Sequence, residues 1–529
     1  MVDESKSSKS LGRRMGLAAV MLSASILLSR ILGFLRDVIV TTWHGAGAAS
    51  DAYYAAFTLP EVMNYFLAGG TLSITFIPLF SSYMNRGDED GGWRLFSIVA
   101  TTIGTLLLVA SVLLELFAPQ LVPILYPGFD DPEQLALTIA MTRIVIPAQL
   151  AFYIGGLLQA TLFVRETFWP SALSPLIYNL CIILGGVLLE PWFGIQGFAV
   201  GVLVGALLGP LGLPLFASWK HLKFRPKVDL SDPGFRKFVV LTLPLMLGAT
   251  LVTVDEWLLK VFGSLSEDGA ITWLNHSRKL MMVLFAVIGQ AAGQAALPYL
   301  SRLFVEGKEE EMGEMLATSL QRVVFLSIIG AAGLVALSEP IVYTLYHRGE
   351  FTVADANQTA TLLVLFSLGM TSWASQSLAV RGFYARQDTL TPMIVGFCVL
   401  AVSAPVYWLL HRNFGVEGLA MATTIGITLN VLAIVFVYRW RAGSLPLGGV
   451  VKGLLRGLLF GALGGVGARG ALWLLSGMLE RETFLGAALE LTAGSVAFGI
   501  LAGGAMWLMR PPEIEVVMEK VRRKLKRGA

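Results

Sequence analysis

Four charged residues, Arg30, Arg36, Asp37 and Asp51, stand in one largely apolar stretch, SRILGFLRDVIVTTWHGAGAASDAYYAAFTLP, at 29–60. A charge at the centre of a membrane helix costs roughly 2.5–3.5 kcal/mol on insertion scales, so such groups face a bundle interior or a wet cavity and find partners there. Arg30, Gly33 and Asp37 fall at i, i+3 and i+7, one face of a regular helix. Arg36 points about 120° from Arg30, unless Gly33 bends the helix. Two readings follow. Arg30 and Asp37 satisfy each other or a neighbouring helix, or the arginines form a cationic patch that holds an anionic solute at membrane depth. Asp37 then holds Arg36 or Arg30 in place, and as a latch would release its arginine to the solute. Asp51 opens the next segment, where an aspartate caps a helix.

Other polar residues at membrane depth are read the same way. Asp255, Glu256 and Lys260 lie in LVTVDEWLLK. Glu256 and Lys260 are an i,i+4 pair suited to mutual neutralisation. Asp255 is a candidate ligand for a coupling cation, since carboxylates suit hard cations. Arg143, four residues before Pro147, is expected to anchor a bend. Asn179 and Asn430 are expected to bond between helices.

Catalytic and metal motifs are missing from the sequence. Cys181 and Cys398 make no CxxC pair, the five histidines show no HExxH spacing, and no GxxxxGK[ST] occurs. No loop is long enough for a catalytic domain. The expectation is a transporter with no catalytic residue, no metal site and no cofactor. Its drive is the membrane potential, a coupling cation or the solute's own gradient.

The elements that must position these residues are membrane helices. The 529 residues are 55% hydrophobic and 14% charged, with mean hydropathy +0.70; a soluble domain carries about a quarter charged residues. A net charge of +3 is too small to suggest nucleic acid as a partner. About 20 apolar residues cross the bilayer. That rule gives about fourteen segments: 16–43, 49–83, 94–119, 135–163, 170–190, 194–218, 236–263, 270–303, 316–337, 355–383, 389–411, 416–439, 449–477 and 483–509. The second and eighth are long enough to bend. Lys220, Lys223, Arg225 and Lys227 lie in one connection, Arg439 and Arg441 in another, and Arg522 to Arg527 in the tail. Basic connections belong inside, so both termini are expected in the cytoplasm.

The chain also repeats itself at an offset of about 220 residues. Phe193-Gly194-Ile195-Gln196-Gly197 matches Phe414-Gly415-Val416-Glu417-Gly418. Phe163-Val164-Arg165 leads to Pro170 as Tyr384-Ala385-Arg386 leads to Pro392. Six crossings separate the copies, so both halves share one orientation, and the solute site is expected at their interface. The fold class is an all-α polytopic membrane protein: two six-helix parallel-repeat lobes plus two C-terminal helices. The expected divisions are a cytoplasmic tail (1–15), an N-lobe (16–220), a C-lobe (221–440), the last two helices (441–510) and a basic cytoplasmic tail (511–529). The glycines of segment thirteen either pack closely against neighbouring helices or line an apolar groove for a lipid tail.

The run S-R-I-L-G-F-L-R-D at 29–37, G-A-G at 45–47, D-A-Y-Y-A-A-F at 51–57 and L-P at 59–60 resembles the MurJ (MviN) family of lipid II flippases, within the MOP exporter superfamily. Gly349-Glu350-Phe351-Thr352 and Gly382-Phe383-Tyr384-Ala385-Arg386-Gln387-Asp388 extend the resemblance into the second half. The resemblance implies a flippase of the bacterial cytoplasmic membrane, active in peptidoglycan synthesis. It would move undecaprenyl-pyrophosphate-linked disaccharide-pentapeptide to the outer leaflet by alternating access, with membrane lipids and cell-wall synthesis enzymes as its expected partners. It also implies a cationic cavity and a groove for the polyprenyl tail in the last two helices.

Arg30 and Arg36 carry over as cavity arginines, and guanidinium suits the oxygens of a pyrophosphate. Relatives place an arginine where this chain has Asn64, and a glutamate at Gly69. Their cavity arginine in segment eight falls at Arg278 or Lys279, with alignment favouring Lys279. Adjacent residues point about 100° apart, so one of the two is expected to face the cavity. Some relatives bind sodium between segments seven, eleven and twelve; segment eleven here offers no carboxylate. The alternatives are a flippase for another polyprenyl-linked oligosaccharide, or a small-molecule or cation exporter of the same superfamily. A cation exporter calls for an acidic cavity.

Overall fold

A computed structural model describes residues 2–65, 75–247, 251–442 and 445–515. All regular elements among them are helical. The chain divides into two units, residues 1–249 and 250–529.

The first unit holds α1 (Val2–His44), α2 (Ala48–Ala56), α3 (Thr58–Met63), α4 (Ile77–Asn85), α5 (Glu89–Leu125), α6 (Pro132–Val145), α7 (Ala148–Val164), α8 (Trp169–Phe193), α9 (Gln196–Ala206), α10 (Leu213–Ser218) and α11 (Pro233–Leu247). The second holds α12 (Leu251–Gly263), α13 (Ala270–Phe285), α14 (Ala291–Val305), α15 (Glu309–Ala336), α16 (Ser338–Leu345), α17 (Val353–Ala385), α18 (Leu390–Ala442), α19 (Gly448–Leu475) and α20 (Phe484–Met509).

Ten helical stretches among the described residues are long and apolar enough to cross a membrane. Nine coincide with one expected segment each. The tenth, Leu390–Arg441, spans the two expected at 389–411 and 416–439. The segments expected at 16–43, 49–83 and 236–263 run partly outside the described residues or side chains. The eighth segment contains a π-helical turn at Ala286–Gln290 between α13 and α14, a common source of helix bending.

Local sequence explains where helices stop. Asp88 accepts from Gly91 N and starts α5. Asp131, with Pro132 behind it, starts α6. Thr352 and Asp355 close a capping box on α17. Pro147 separates α6 from α7, and Arg143 Nε donates to the Glu115 carbonyl at 3.0 Å, which anchors that bend to α5. Glycines let helices touch. A Cβ on Gly201 would come within 2.7 Å of Ile182 Cα, so α8 and α9 meet backbone to backbone. In α19, Gly453, Gly457 and Gly461 lie against α15, and Gly464 and Gly467 against α20. These glycines serve close packing. The first unit's core is strongly aromatic, with Phe76, Phe80, Trp93, Phe96, Tyr153, Phe235 and Phe238.

The internal repeat reappears as matched backbone. Gly194 (φ 52, ψ −140) ends α8, and Gly415 (φ 59, ψ −136) interrupts α18. Gly87 and Gly307 have φ of 73 and 72, and Glu166 and Gln387 have φ of 56 and 61. Arg165 pairs with Glu89 at 2.7 Å in one unit, and Arg386 with Glu309 at 2.5 Å in the other. The division between units differs from the expected 220/221. Residues 223–232 are tied to α5 by Lys223–Asp90 and Arg94–Asp229 ion pairs, so the connection belongs with the first unit.

Candidate functional site

In the first unit the site is built on α1. Ser25, Ser29 and Gly33 recur every four residues and face α8. Ser25 Oγ donates to the Ala172 carbonyl. Asn179 Nδ2 donates to Ser29 Oγ at 3.1 Å, and a Cβ on Gly33 would sit 3.5 Å from Asn179 Oδ1. Asn179 thus makes the interhelical bond expected of it. Asn430 is buried, close to Gly396.

This docking fixes the arginines. Arg36 donates from Nε (3.2 Å) and Nη2 (3.0 Å) to the same Asp37 oxygen. Asp37 is 1% exposed, whereas the Arg36 side chain keeps 18% of its surface. Tyr53 and Tyr54 of α2 and Tyr178 of α8 stand close enough to the guanidinium to interact electrostatically. Arg30 is exposed. The expected alternative of Arg30 pairing with Asp37 is not met, because seven residues separate them by about 10.5 Å along the axis. Asp37 neutralises its neighbour Arg36 instead, and orients it.

Two further positions are corrected or explained. Asp51 does not cap its helix. The helix begins earlier, with Gly47 as N-cap and Ser50 closing the box; Asp51 is buried in the first turn, 2% exposed. Asn64, at the end of α3, donates to Gln149 Oε1 of α7 at 2.7 Å, a neutral tie between helices. Gly69 lies outside the described residues.

In the second unit α12 and α13 enclose a cavity of about 270 Å³ lined by Glu256, Leu259, Lys260, Asn275, Arg278 and Lys279, among others. Both Arg278 and Lys279 line it. Arg278 is buried, with Nη1 2.8 Å from Asp255 Oδ2 and its guanidinium carbon 5.4 Å from the Trp373 ring centroid. Its length carries it across the space between helices, while Lys279 is half-buried. Lys260, 6% exposed, adds a third cation to the lining.

Asp255 is the counterion of Arg278. Tyr407 of α18 donates to its other oxygen and lies 2.7 Å from Thr423 Oγ1. Segments seven, eleven and twelve therefore do meet at Asp255. Arg278 thus balances the charge of the Asp255 carboxylate. Among the described residues no group of three or more His, Cys, Asp or Glu could hold a metal.

The three cations on the cavity lining suit the holding of an anion. The family model described as lipid II flippase MurJ matches residues 40–492. The chain belongs to the MurJ lipid II flippase family. A probable lipid II flippase MurJ from Vibrio cholerae is 27% identical over 433 residues, covering 80% of this chain and 82% of that protein. One from Haemophilus influenzae is 28% identical over 458 residues, covering 82% and 89%. Lipid II flippase MurJ from Burkholderia cenocepacia is 26% identical over 431 residues, covering 80% and 84%. Among solved structures, a lipid II flippase MurJ in an inward closed conformation superposes with a TM-score of 0.75 at 22% identity, over 93% of this chain and all of that one. A multidrug resistance MATE transporter of the MOP superfamily, inward-facing, gives 0.65 at 15% identity, over 80% and 98%. These two likenesses speak for the fold alone.

Membership in the MurJ family makes the chain a multi-pass bacterial inner-membrane transporter rather than an enzyme. The pairing of Asp255 with Arg278 and the position of Lys260 were missed in the sequence. Lys260 stands four residues after Glu256, which reads as a local pair; its place on the cavity depends on how α12 faces α13. The tyrosines around Arg36 come from α2 and α8, and the motif D-A-Y-Y held the signal for two of them.

Proposed function

We propose that this protein translocates lipid II from the inner to the outer leaflet by alternating access. The observation that carries the reading is the cavity of about 270 Å³ lined by Lys260, Arg278 and Lys279, set between α12 and the helical stretch Ala270–Val305, which has the length and composition of a membrane span. A pyrophosphate diester brings about two negative charges and several acceptor oxygens, which arginine and lysine bind by charge-assisted hydrogen bonds. Arg30 and Arg36 of α1 are the first unit's candidates for binding pyrophosphate oxygens, with Asp37 positioning Arg36. The polyprenyl tail stays in lipid throughout.

Both termini face the cytoplasm, in keeping with the basic connections. The membrane potential drives the cycle; a cation at Asp255 is disfavoured because Arg278 occupies its carboxylate. Cell-wall polymerases that consume the flipped precursor are the partners this role calls for.

Proteoliposomes holding the purified chain and fluorescent lipid II test the proposal. Lipid II should become accessible on the opposite leaflet when a potential is applied, with or without sodium. A polyprenyl-pyrophosphate carrying an unrelated oligosaccharide, moved in preference to lipid II, would favour the second reading. That reading rests on Asn64, a neutral residue tied to Gln149 where relatives carry a cation.

A further inference from the structure

The connection after α10 is laid as a strap along the start of α5. Between Trp219 and Val228 the sequence reads WKHLKFRPKV, with four lysines and arginines and no carboxylate. The Arg225 N–H donates to Ser97 Oγ at 3.1 Å and the Lys227 N–H to Thr101 Oγ1 at 3.2 Å. Hydroxyls of a long apolar helix thus pin the backbone of the strap. Residues 223, 225 and 227 alternate with Phe224, Pro226 and Val228, and in extended chain such alternation puts the cations on one side.

Strap and helix enclose a cavity of about 530 Å³ lined by Trp93, Arg94, Lys223, Phe224, Arg225 and Lys227, and by the carboxylate of Asp90. One of its carboxylate partners restrains it only weakly. Lys223 reaches Asp90 at 2.8 Å, but the Asp90 side chain is 87% exposed, and exposed pairs of this kind contribute little. Lys227 pairs with Asp229 at 3.0 Å, and Arg94 lies between Asp229 and Asp232. Glu89 is engaged by Arg165 at 2.7 Å and by Trp93. Along the same stretch of chain Phe216, Trp219, Phe224 and Leu230 are exposed. Large apolar side chains beside cations, at the end of a membrane-spanning helix, have the composition of a surface at the headgroup level.

We propose that this cavity seats the phosphate-bearing headgroup of an anionic membrane phospholipid. Lys223, Arg225 and Lys227 contact the phosphate, and Phe216, Trp219 and Phe224 sit in the acyl boundary. The site shares no lining residue with the cavity on α13 and does not depend on the flippase reading.

Native mass spectrometry of the full chain, with phosphatidylglycerol or phosphatidylcholine added to the detergent, tests it. The parent should retain phosphatidylglycerol preferentially, and K223Q/R225Q/K227Q should lose that preference about tenfold or more. Equal retention by parent and variant would overturn the site. Displacement of the lipid by millimolar inorganic phosphate would reassign it to a soluble anion and overturn the lipid assignment. Photoreactive phosphatidylglycerol on the unaltered chain gives a readout independent of the variant's folding. Crosslinks should map to 216–228 or to the first turns of α5; crosslinks confined elsewhere would also overturn it. Lipid II binding by the triple variant should stay at the parent level. Its loss would assign the strap to the transport path instead.

Discussion

The Arg278 guanidinium lies 2.8 Å from the Asp255 carboxylate, and both side chains are buried. The pair converts what looks like a ligand for a cation and a ligand for an anion into one neutral unit. Two half-buried or buried lysines, Lys260 and Lys279, then carry the net charge of the cavity beside Glu256.

Asp255→Asn should leave Arg278 without its counterion. Breaking a buried pair from one side costs about 3–5 kcal/mol, whereas replacing both partners with apolar groups is often neutral. Thermal unfolding in detergent should show a large loss for D255N and recovery in D255L/R278M. Transport by D255N should not acquire or lose sodium dependence. A sodium-dependent parent that becomes sodium-independent in D255N would restore Asp255 as an ion ligand.

Arg36 donates twice to one oxygen of Asp37, a contact that a lysine ammonium cannot reproduce with the same geometry. Arg36→Lys should keep the charge but lose the orientation, with a roughly tenfold fall in lipid II transport. Asp37→Asn should resemble it, and should shift the balance of inward and outward accessibility if Asp37 acts as a latch. Cysteine-accessibility labelling reads that balance; an unchanged balance removes the latch.

How far the sequence carries depends on the range of the interaction. The Gly194 and Gly415 turns were legible because a short motif, F-G-x-x-G, is repeated and each turn is local. Arg36 and Asp37 were legible as partners because they are adjacent. The cap at Gly47 was misplaced because Asp51 is the more obvious capping residue, though the helix starts a turn earlier. Asp255–Arg278, Tyr407–Asp255 and Asn64–Gln149 join distant positions, and no local pattern selects one distant partner over another.

Gly194 and Gly415 adopt φ of 52 and 59 with ψ near −140 and −136, a region open in practice to glycine alone. Nothing lies within 4 Å of a Cβ at Gly194, and only Glu417 Oε2, at 3.9 Å, at Gly415. Alanine at either site should therefore cost backbone strain without a clash, about 1–3 kcal/mol. Similar losses for G194A and G415A in thermal unfolding would show that the two turns do equal work in the two units.

The strap is sensitive to acid. Hydrogen bonds from Ser231 and then from Lys227 hold the Asp229 carboxyl well below the usual carboxylate range. A depressed value means the restraint is complete above the unfolded value of about 3.9 and is lost as pH falls below it. Hydrogen exchange of 222–232, corrected for intrinsic rates, should show constant protection from pH 8 to about 4.5 and rising exchange below about 3.9. Loss of protection near pH 6 would contradict the assignment of the restraint to Asp229.

Complementation tests the central claim most directly. The chain would be expressed in a bacterium depleted of its own lipid II flippase, beside Arg36→Ala and Lys279→Ala, with membrane insertion checked for each. Growth restored by the parent and lost in either variant is the predicted result. A well-inserted parent that fails to restore growth, or variants that restore it fully, would contradict transport of lipid II through these cations.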